Sequence, residues 1–116
     1  MIEIKPATRE TLERFYGKQP DATVCAWVAE QDGVLLGCGG IAFRGPALEV
    51  FSDFGDELKR HPKYILKAAR IILKKAAEYR RPVFALRNKD EPTADAFLRR
   101  LRFEPKGDLY KWHSSP

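Results

Sequence analysis

A strand–helix–strand unit in the second half of the chain limits the possible folds more than any other feature. Residues 47–54 are rich in strand-forming side chains, and residues 63–79 place apolar side chains at the spacing of one helical face. Residues 81–87 enclose the continuous apolar run VFAL, which is typical of a strand buried on both faces of a sheet. A crossover helix returns the chain to the end of the sheet at which the first strand began. We therefore expect these two strands to be adjacent and parallel.

The remaining segments predict one α+β domain over residues 1–116. Ile2 and Ile4 alternate with charged residues as in a short strand, and Thr8 is a suitable N-cap for a helix over 9–16. The later predicted elements are strands at 22–30 and 34–43, a polar connection at 55–62, a helix at 93–101 capped by Thr93, and a strand at 109–113. The order is therefore β-α-β-β-β-α-β-α-β, a mixed central sheet flanked by helices.

A hairpin signal lies near the middle of the predicted sheet. The dipeptide Asp32-Gly33 predicts a tight turn, and a turn centred there places Trp27 opposite Cys38. Cys25 then lies diagonal to Cys38, which is a poor geometry for a disulfide. Three glycines of the returning strand predict a β-bulge or a close approach of two backbones, namely Gly37, Gly39 and Gly40.

Composition favours a cytoplasmic protein with reduced thiols. The chain has two cysteines in apolar segments and no Cys-x-x-Cys spacing, so we expect neither a disulfide nor a metal site. No apolar run is long enough to cross a bilayer, and the hydrophobic fraction of 44% is enough for an ordinary core. We therefore expect no membrane partner, and a monomer or a homodimer.

Charge is distributed unevenly along the chain. Residues 1–58 carry five Lys and Arg against ten Asp and Glu, a net charge of −5, and residues 59–116 carry sixteen against six, a net charge of +10. The basic residues form a helical stripe and a second cluster, namely Lys63, Lys67, Arg70 and Lys74, then Arg99, Arg100 and Arg102. Such a surface suits nucleic acid or an acidic protein, and it equally suits a solvated face that only keeps the protein soluble.

The ordered set of elements resembles the GNAT superfamily of N-acetyltransferases over essentially the whole chain. The opening IEIKPAT resembles the first strand of the family, and the hairpin with Gly37 near its end resembles strands two and three. Asn88, the pair Ala96-Phe97 and the segment LRFEP at residues 101–105 resemble the closing part of the family, which usually has Gly at the position of Arg102. Some short chains from tailed-phage genomes are similar in general appearance.

This resemblance implies transfer of an acyl group from acetyl-coenzyme A to an amine. In the family, the pantetheine arm lies between two strands that correspond here to residues 47–54 and 81–87, and the backbone of the first strand holds it. Val50, Phe51 and Ser52 are therefore the positions that we expect to hold the arm.

The resemblance also implies a base that removes a proton from the amine and an acid that protonates the departing thiolate. We expect Glu49 to be the base, with Asp53 as the second candidate. Leu98 stands where family enzymes often have a tyrosine acid, so Tyr110 is the predicted replacement, with Tyr79 or water as alternatives.

The pyrophosphate loop is where the chain departs from the family. The family loop is rich in glycine, whereas the matching residues 60–65, RHPKYI, contain none. Pro62 suits the first position of a helix, so the N–H groups of residues 63–65 would be free at its positive end. The residues expected to contact the coenzyme here are Arg60, Lys63, Tyr64, Ile65 and, after the buried strand, Asn88.

Two acidic residues oppose phosphate binding at this loop, because Asp56 and Glu57 lie just upstream of it. The resemblance therefore implies an acetyl-coenzyme A site that is weak. The alternative is a non-catalytic protein of GNAT-like fold that binds nucleic acid or an acidic partner through its basic half, or that serves only as a structural protein.

Overall fold

The structure is a computed structural model that describes residues 1–86 and 94–113. Within these residues the chain forms seven strands and four helices. The strands are β1 (Glu3–Pro6), β2 (Val24–Gln31), β3 (Val34–Arg44), β4 (Ala47–Phe54), β5 (Val83–Leu86), β6 (Phe103–Lys106) and β7 (Leu109–Trp112). The helices are α1 (Arg9–Tyr16), α2 (Asp56–Lys59), α3 (Pro62–Ala77) and α4 (Ala94–Arg100). The predicted Thr93 cap and Asn88 lie outside the described residues.

All seven strands of the described chain form one mixed sheet in the order β1-β2-β3-β4-β5-β7-β6. β4 and β5 are adjacent and parallel, and the other neighbouring pairs are antiparallel. The predicted α+β class and the predicted crossover are therefore confirmed. The helix α3 provides the crossover, as its apolar periodicity indicated.

The two faces of the sheet are covered unequally. On one face, α3 packs Ile72, Leu73 and Ala76 against residues that include Leu48 of β4 and Val83 of β5. Among the described residues, the helix on the opposite face is the short α1, whose Leu12 packs among Ala26, Val28 and Cys38. Since α1 has eight residues and α3 has sixteen, the α1 face is less completely buried.

The hairpin of β2 and β3 differs from prediction by one residue. Glu30 lies opposite Leu35 as the Asp32-Gly33 turn requires, but Ala29 lies opposite Gly37, so Leu36 is an extra residue in β3. This confirms the predicted bulge and shifts every later pair, because a bulge sets two residues of one strand against one of the other. The predicted pairing of Trp27 with Cys38 is therefore wrong.

The corrected register also separates the two cysteines. Cys38 lies opposite Val28, and Cys25 lies opposite Ile41. Since Cys25 is three residues from Val28 along the strand, the side chains of the two cysteines point to opposite faces of the sheet. Both thiols are free.

Gly40 shows the predicted close approach of two backbones. A Cβ atom built on this glycine would lie 2.4 Å from the carbonyl oxygen of Cys25 and 2.7 Å from the Cα atom of Ala26. A side chain at this position would collide with the backbone of β2, which cannot move away as a flexible side chain could. Glycine is therefore required where β2 and β3 approach each other.

Three further predictions about element boundaries need correction. The connection predicted at 55–62 contains the short helix α2, whose Leu58 is buried. The strand predicted at 81–87 is limited to β5 among the described residues and is not buried on both faces, because Leu86 is 61% exposed on the sparsely covered α1 face. The closing segment contains an additional strand, β6, which forms a hairpin with β7.

Arg102 occupies a backbone conformation that favours glycine. Its φ angle is 74°, in the left-handed region that non-glycine residues rarely adopt. The segment is held there by hydrogen bonds, since the amide of Arg102 donates to the carbonyl of Arg99 at 3.0 Å and the amide of His113 donates to the carbonyl of Arg102 at 3.0 Å. The conformation explains why a glycine at this position suits the turn between α4 and β6.

We expect Arg102→Gly to raise the free energy of unfolding by about 1 kcal/mol, because glycine removes the left-handed strain and loses part of that gain as chain entropy. Chemical denaturation measures this change. Arg100→Gly makes the same substitution at the last helical residue of α4 and should not stabilise the protein. Equal destabilisation by both variants would contradict this reading of Arg102.

Candidate functional site

β4 extends beyond its described pairing with the parallel strand β5, and we call the space beside this part of β4 the gap. Among the described residues, the two strands pair at three positions only, the last being Val50 with Ala85. Beyond that point β4 continues through Phe54 and remains paired with β3. Residues 51–54 therefore present one edge of β4 to which no described strand residue is paired.

The direction of the backbone groups decides which residues face this gap. The amide of Leu48 donates to the carbonyl of Pro82 at 2.8 Å, so the backbone groups of Leu48 point toward β5. Since backbone groups alternate along a strand, those of Val50, Ser52 and Phe54 point the same way. On this alternation Phe51 turns its N–H and C=O toward β3. The three positions predicted to hold a pantetheine arm are thus divided: Val50 is still paired with β5, Phe51 faces β3, and Ser52 lies at the open edge.

A polar cluster lies on the α1 face beside the gap. The Tyr16 hydroxyl, at the end of α1, donates a hydrogen bond of 2.6 Å to Oδ2 of Asp53 on β4. Burial, and then the hydrogen bond to Asp53, raise the pKa of Tyr16 well above its usual range, so this hydroxyl stays protonated at neutral pH. Asp53 therefore has a fixed neutral donor and remains the acceptor of that bond.

Cys38 lies opposite Asp53 on β3. Its side chain is buried, and this burial raises the pKa of the thiol to about 11. A hydrogen bond with Tyr16 lowers the pKa in part, and the nearby charge of Asp53 raises it slightly. The thiol is therefore protonated at neutral pH, and a protonated buried thiol is a poor nucleophile. Cys38 consequently contributes packing to this cluster.

Glu49 lies on the same face of β4 but in its closed part, where it pairs with Phe84 of β5. Its Oε1 atom accepts from Nε of Arg44 at 3.1 Å, and a guanidinium nitrogen of Arg44 is 3.8 Å from Asp21. Four residues along a strand separate Glu49 from Asp53 by about 13 Å. Asp53, predicted as the second candidate base, is the one at the gap.

Tyr110 lies on the other face of the sheet. Its side chain is 2% exposed within the α3-face core, and its hydroxyl donates to Oδ1 of Asp95 on α4 at 2.5 Å. Because it lies opposite Ala85, which packs in the same core, Tyr110 is separated by the sheet from Glu49 and Asp53. The structure does not gather the three predicted catalytic residues into one place.

The start of α3 has the predicted proline and fewer free amides than predicted. Pro62 is the first helical residue and His61 is the N-cap, with no side-chain cap hydrogen bond. The amide of Tyr64 donates to the carbonyl of His61 at 3.0 Å, so the prediction that this amide is free is wrong. In the absence of a side-chain cap, a tighter i to i−3 turn satisfies the amide internally.

The side chains around this helix start have mixed charge. Glu57 lies 3.2 Å from Nη1 of Arg60 and 3.4 Å from Nε2 of His61, so one carboxylate offsets both groups. Lys63 forms no ion pair with any described residue, and its Nζ atom lies 5.3 Å from the centre of the Tyr64 ring. Ile65 is buried in the core with Leu58, and only its backbone could contact a ligand.

Two surface clefts flank other parts of the sheet. The larger, about 720 Å³, lies at the edge formed by β1 and β2 and is lined by the start of α1, so it is two strands away from β4. The smaller, about 310 Å³, lies between α3, the end of α4 and β7. Within residues 1–86 and 94–113, no group of His, Cys, Asp and Glu side chains could hold a metal ion, and no helix is long and apolar enough to cross a membrane.

Sequence reasoning did not identify Tyr16 as a partner of Asp53. The residue fits the apolar periodicity of α1, and 37 positions separate it from Asp53. One feature of the sequence does indicate where Tyr16 lies: it stands just before Gly17, which ends the helix in a left-handed conformation. A tyrosine at a helix end places its hydroxyl near the rim of the sheet, where it can meet a polar partner.

Comparison with known proteins supports the fold alone. No family model and no curated protein matches the chain. Among solved structures, the chain is similar to an IAA acetyltransferase from Bacillus cereus ATCC 14579, with a TM-score of 0.68 and 14% identity over 90% of this chain and 77% of the other. At this identity the likeness shows the fold alone, and it confirms the predicted GNAT-like fold.

The raised pKa of Cys38 predicts how stability depends on pH. The folded protein holds this proton until about pH 11, whereas an unfolded thiol releases it near pH 9. The stabilisation is therefore complete below about pH 9 and is lost as the pH rises to about 11. We expect the free energy of unfolding to fall more steeply over this range in the wild type than in Cys38→Ala. Denaturation curves at several pH values measure the difference.

Cys25→Ala is the matched control for that experiment, because Cys25 is also a free thiol in the sheet. It should keep the wild-type slope against pH. A Cys38→Ala variant with an unchanged slope would contradict the assignment.

Proposed function

We propose that this chain is an N-acyltransferase that transfers an acyl group from acetyl-coenzyme A to an amine. The observation that carries the proposal is the edge of β4 beyond Val50, to which no described residue of β5 is paired. The pantetheine arm contains amide groups that can extend such an edge as a further strand would. The likeness in fold to an acetyltransferase supports the same conclusion.

The backbone of Ser52 is central to coenzyme binding in this proposal. Its N–H and C=O face the gap, next to the point at which Val50 makes the last described pair with β5. The phosphates of the coenzyme then lie toward the start of α3, where Lys63 supplies positive charge. Because Tyr64 has turned its amide inward and Glu57 offsets Arg60, this end contributes little affinity.

Asp53 is the base in the proposed reaction. Acetyl-coenzyme A supplies a thioester, which the neutral amine attacks as Asp53 accepts the proton that the amine loses. Tyr16 is a positioning residue, since its hydrogen bond fixes the carboxylate beside the gap. The amine approaches over the α1 face, where Leu86 is exposed and leaves room for an acceptor. Tyr110 is too far removed to serve as the acid, and water fills that role.

We also propose a cytoplasmic location. Cys25 and Cys38 are both free thiols, which is usual for proteins kept in a reducing compartment.

The coenzyme proposal is tested by titrating acetyl-coenzyme A into the wild type and two variants of Ser52, with calorimetry as the measurement. Ser52→Pro removes the N–H that faces the gap and should weaken binding about tenfold or more, since proline also crowds the edge. Ser52→Ala keeps the backbone and should bind as the wild type does. We expect a wild-type dissociation constant of about 1 mM, because the loop lacks glycine.

Two further titrations complete this test. Lys63→Glu should abolish the contribution that the coenzyme phosphates make to affinity. Lys18→Glu, an equal charge change in the loop after α1, should leave that contribution unchanged. Equal affinity of wild type and Ser52→Pro for the coenzyme would place the ligand elsewhere. A micromolar constant that survives Lys63→Glu would show that the start of α3 is not where the phosphates bind.

The catalytic proposal predicts a contrast between two carboxylates. Asp53→Asn should lower the rate of acyl transfer to a panel of amines by about 10²- to 10⁴-fold while coenzyme binding is retained. Glu49→Gln, the matched change on the same strand, should lower it by less than about tenfold, because Glu49 pairs with Arg44 in the closed part of the sheet. The measurement is release of free thiol from the coenzyme. A larger loss in Glu49→Gln would reverse the assignment.

A further inference from the structure

The fold brings the two basic clusters of the sequence together in one groove. Arg70 and Lys74 of α3 form one wall, and Arg100 and Arg102, at and beyond the end of α4, form the other. The groove has a volume of about 310 Å³, and its remaining lining residues are Leu73, Leu101, Trp112 and His113. It lies away from the gap between β4 and β5, at the other end of α3 from Pro62.

Three cations of this groove have no acidic partner among the described residues. Arg70, Lys74 and Arg100 are exposed and form no ion pair with a described residue, whereas the neighbouring Lys75 and Arg99 do. His113 contacts Glu104 at the rim, an acidic group on the β6–β7 side. Arg70, Lys74 and Arg100 therefore give the described part of the groove a positive charge that an anion can contact.

The floor of the groove is apolar and rigid. The side chains of Leu73 and Leu101 lie beside Trp112, whose indole N–H donates to the carbonyl of Leu101 at 2.9 Å. The Trp112 ring also packs against Phe103, with ring centres 6.4 Å apart. These contacts fix the orientation of a partly exposed aromatic ring among four cations.

The basic surface continues from the groove along α3. Lys63 and Lys67 are exposed and follow the same helical stripe as Arg70 and Lys74. At a helical rise of 1.5 Å per residue the stripe is about 16 Å long, so it can contact several anionic groups in succession. A single carboxylate or one small anion would use only part of it.

We propose that this groove and stripe bind single-stranded nucleic acid. The repeating phosphates contact the cations of α3 and the two arginines on the opposite wall, and one base lies on Trp112 in the apolar floor. Aromatic rings combined with a positive groove are the usual means of binding single strands without sequence preference. An acidic peptide shares the charge but offers no planar ring in every residue, so the aromatic floor favours the nucleic acid.

The test measures fluorescence anisotropy of labelled DNA and RNA strands of about 20 nucleotides with the full chain. Affinity should be similar across base sequences and should fall as salt rises from about 50 to about 200 mM. A duplex of the same length, in which no base is free to stack, should bind about tenfold less tightly, and an acidic polypeptide of equal charge should also bind less tightly. Duplex or polypeptide binding as tight as that of the single strand would overturn the proposal.

Charge reversal locates the site. Arg70→Glu combined with Arg100→Glu should weaken binding about 100-fold or more and reduce the salt dependence. The matched control is Arg9→Glu combined with Lys18→Glu, which makes the same change in net charge at α1 and the loop after it, on the opposite face. If the control loses as much affinity as the groove variant, binding reflects net charge alone and the groove is not the site.

Two tryptophan variants distinguish the contribution of base stacking to binding from that of charge. Trp112→Leu should weaken binding about tenfold and leave the salt dependence unchanged. Since this variant could also disturb β7, a second measurement uses Trp27→Phe, in which Trp112 is the remaining tryptophan. Its fluorescence should be quenched by the single strand and not by the polypeptide. Absence of quenching at saturation would rule out the stacked base.

Discussion

The short parallel pairing of β4 with β5 is the constraint on which the rest of the structure depends. Three residue pairs hold it in the described part of the chain, and the apolar face of α3 packs across it through Ile72 and Ala76. Because the crossover fixes the register, it also fixes which backbone groups of β4 remain at the open edge. A shift of one residue would turn Ser52 toward β3 and place Asp53 on the α3 face.

The types and order of the main elements could be predicted because their signals are local. The cap at Thr8, the turn at Asp32-Gly33 and the apolar periodicity of α3 each act over a few residues, and each specifies one element. A bulge in β3 could be predicted, but its position at Leu36 could not, since that position depends on how β2 and β3 pack against both layers of helices. The exposure of Leu86 likewise depends on the length of a helix far away in sequence.

The candidate site was less predictable for the same reason. Sequence reasoning selected β4 as the strand that holds the coenzyme, but the separation of Ser52 from Phe51 requires knowing which residue of β4 bonds to Pro82. The choice between Glu49 and Asp53 requires knowing where β5 stops pairing. The position of Tyr110 on the opposite face follows from its pairing with Ala85, which no local pattern reveals.

The basic surface of α3 and its surroundings is not required by the core. Like charges at helical spacing cost about 0.2 to 0.5 kcal/mol per pair, and the left-handed backbone of Arg102 costs about 1 kcal/mol more. The buried residues of α3 would pack equally well beneath neutral exposed side chains. Most of these unfavourable terms fall on the surface that contains Trp112, and one end of the stripe, Lys63, lies at the start of α3. The anionic partner proposed for the groove would offset these costs, because its negative charges would lie among the cations.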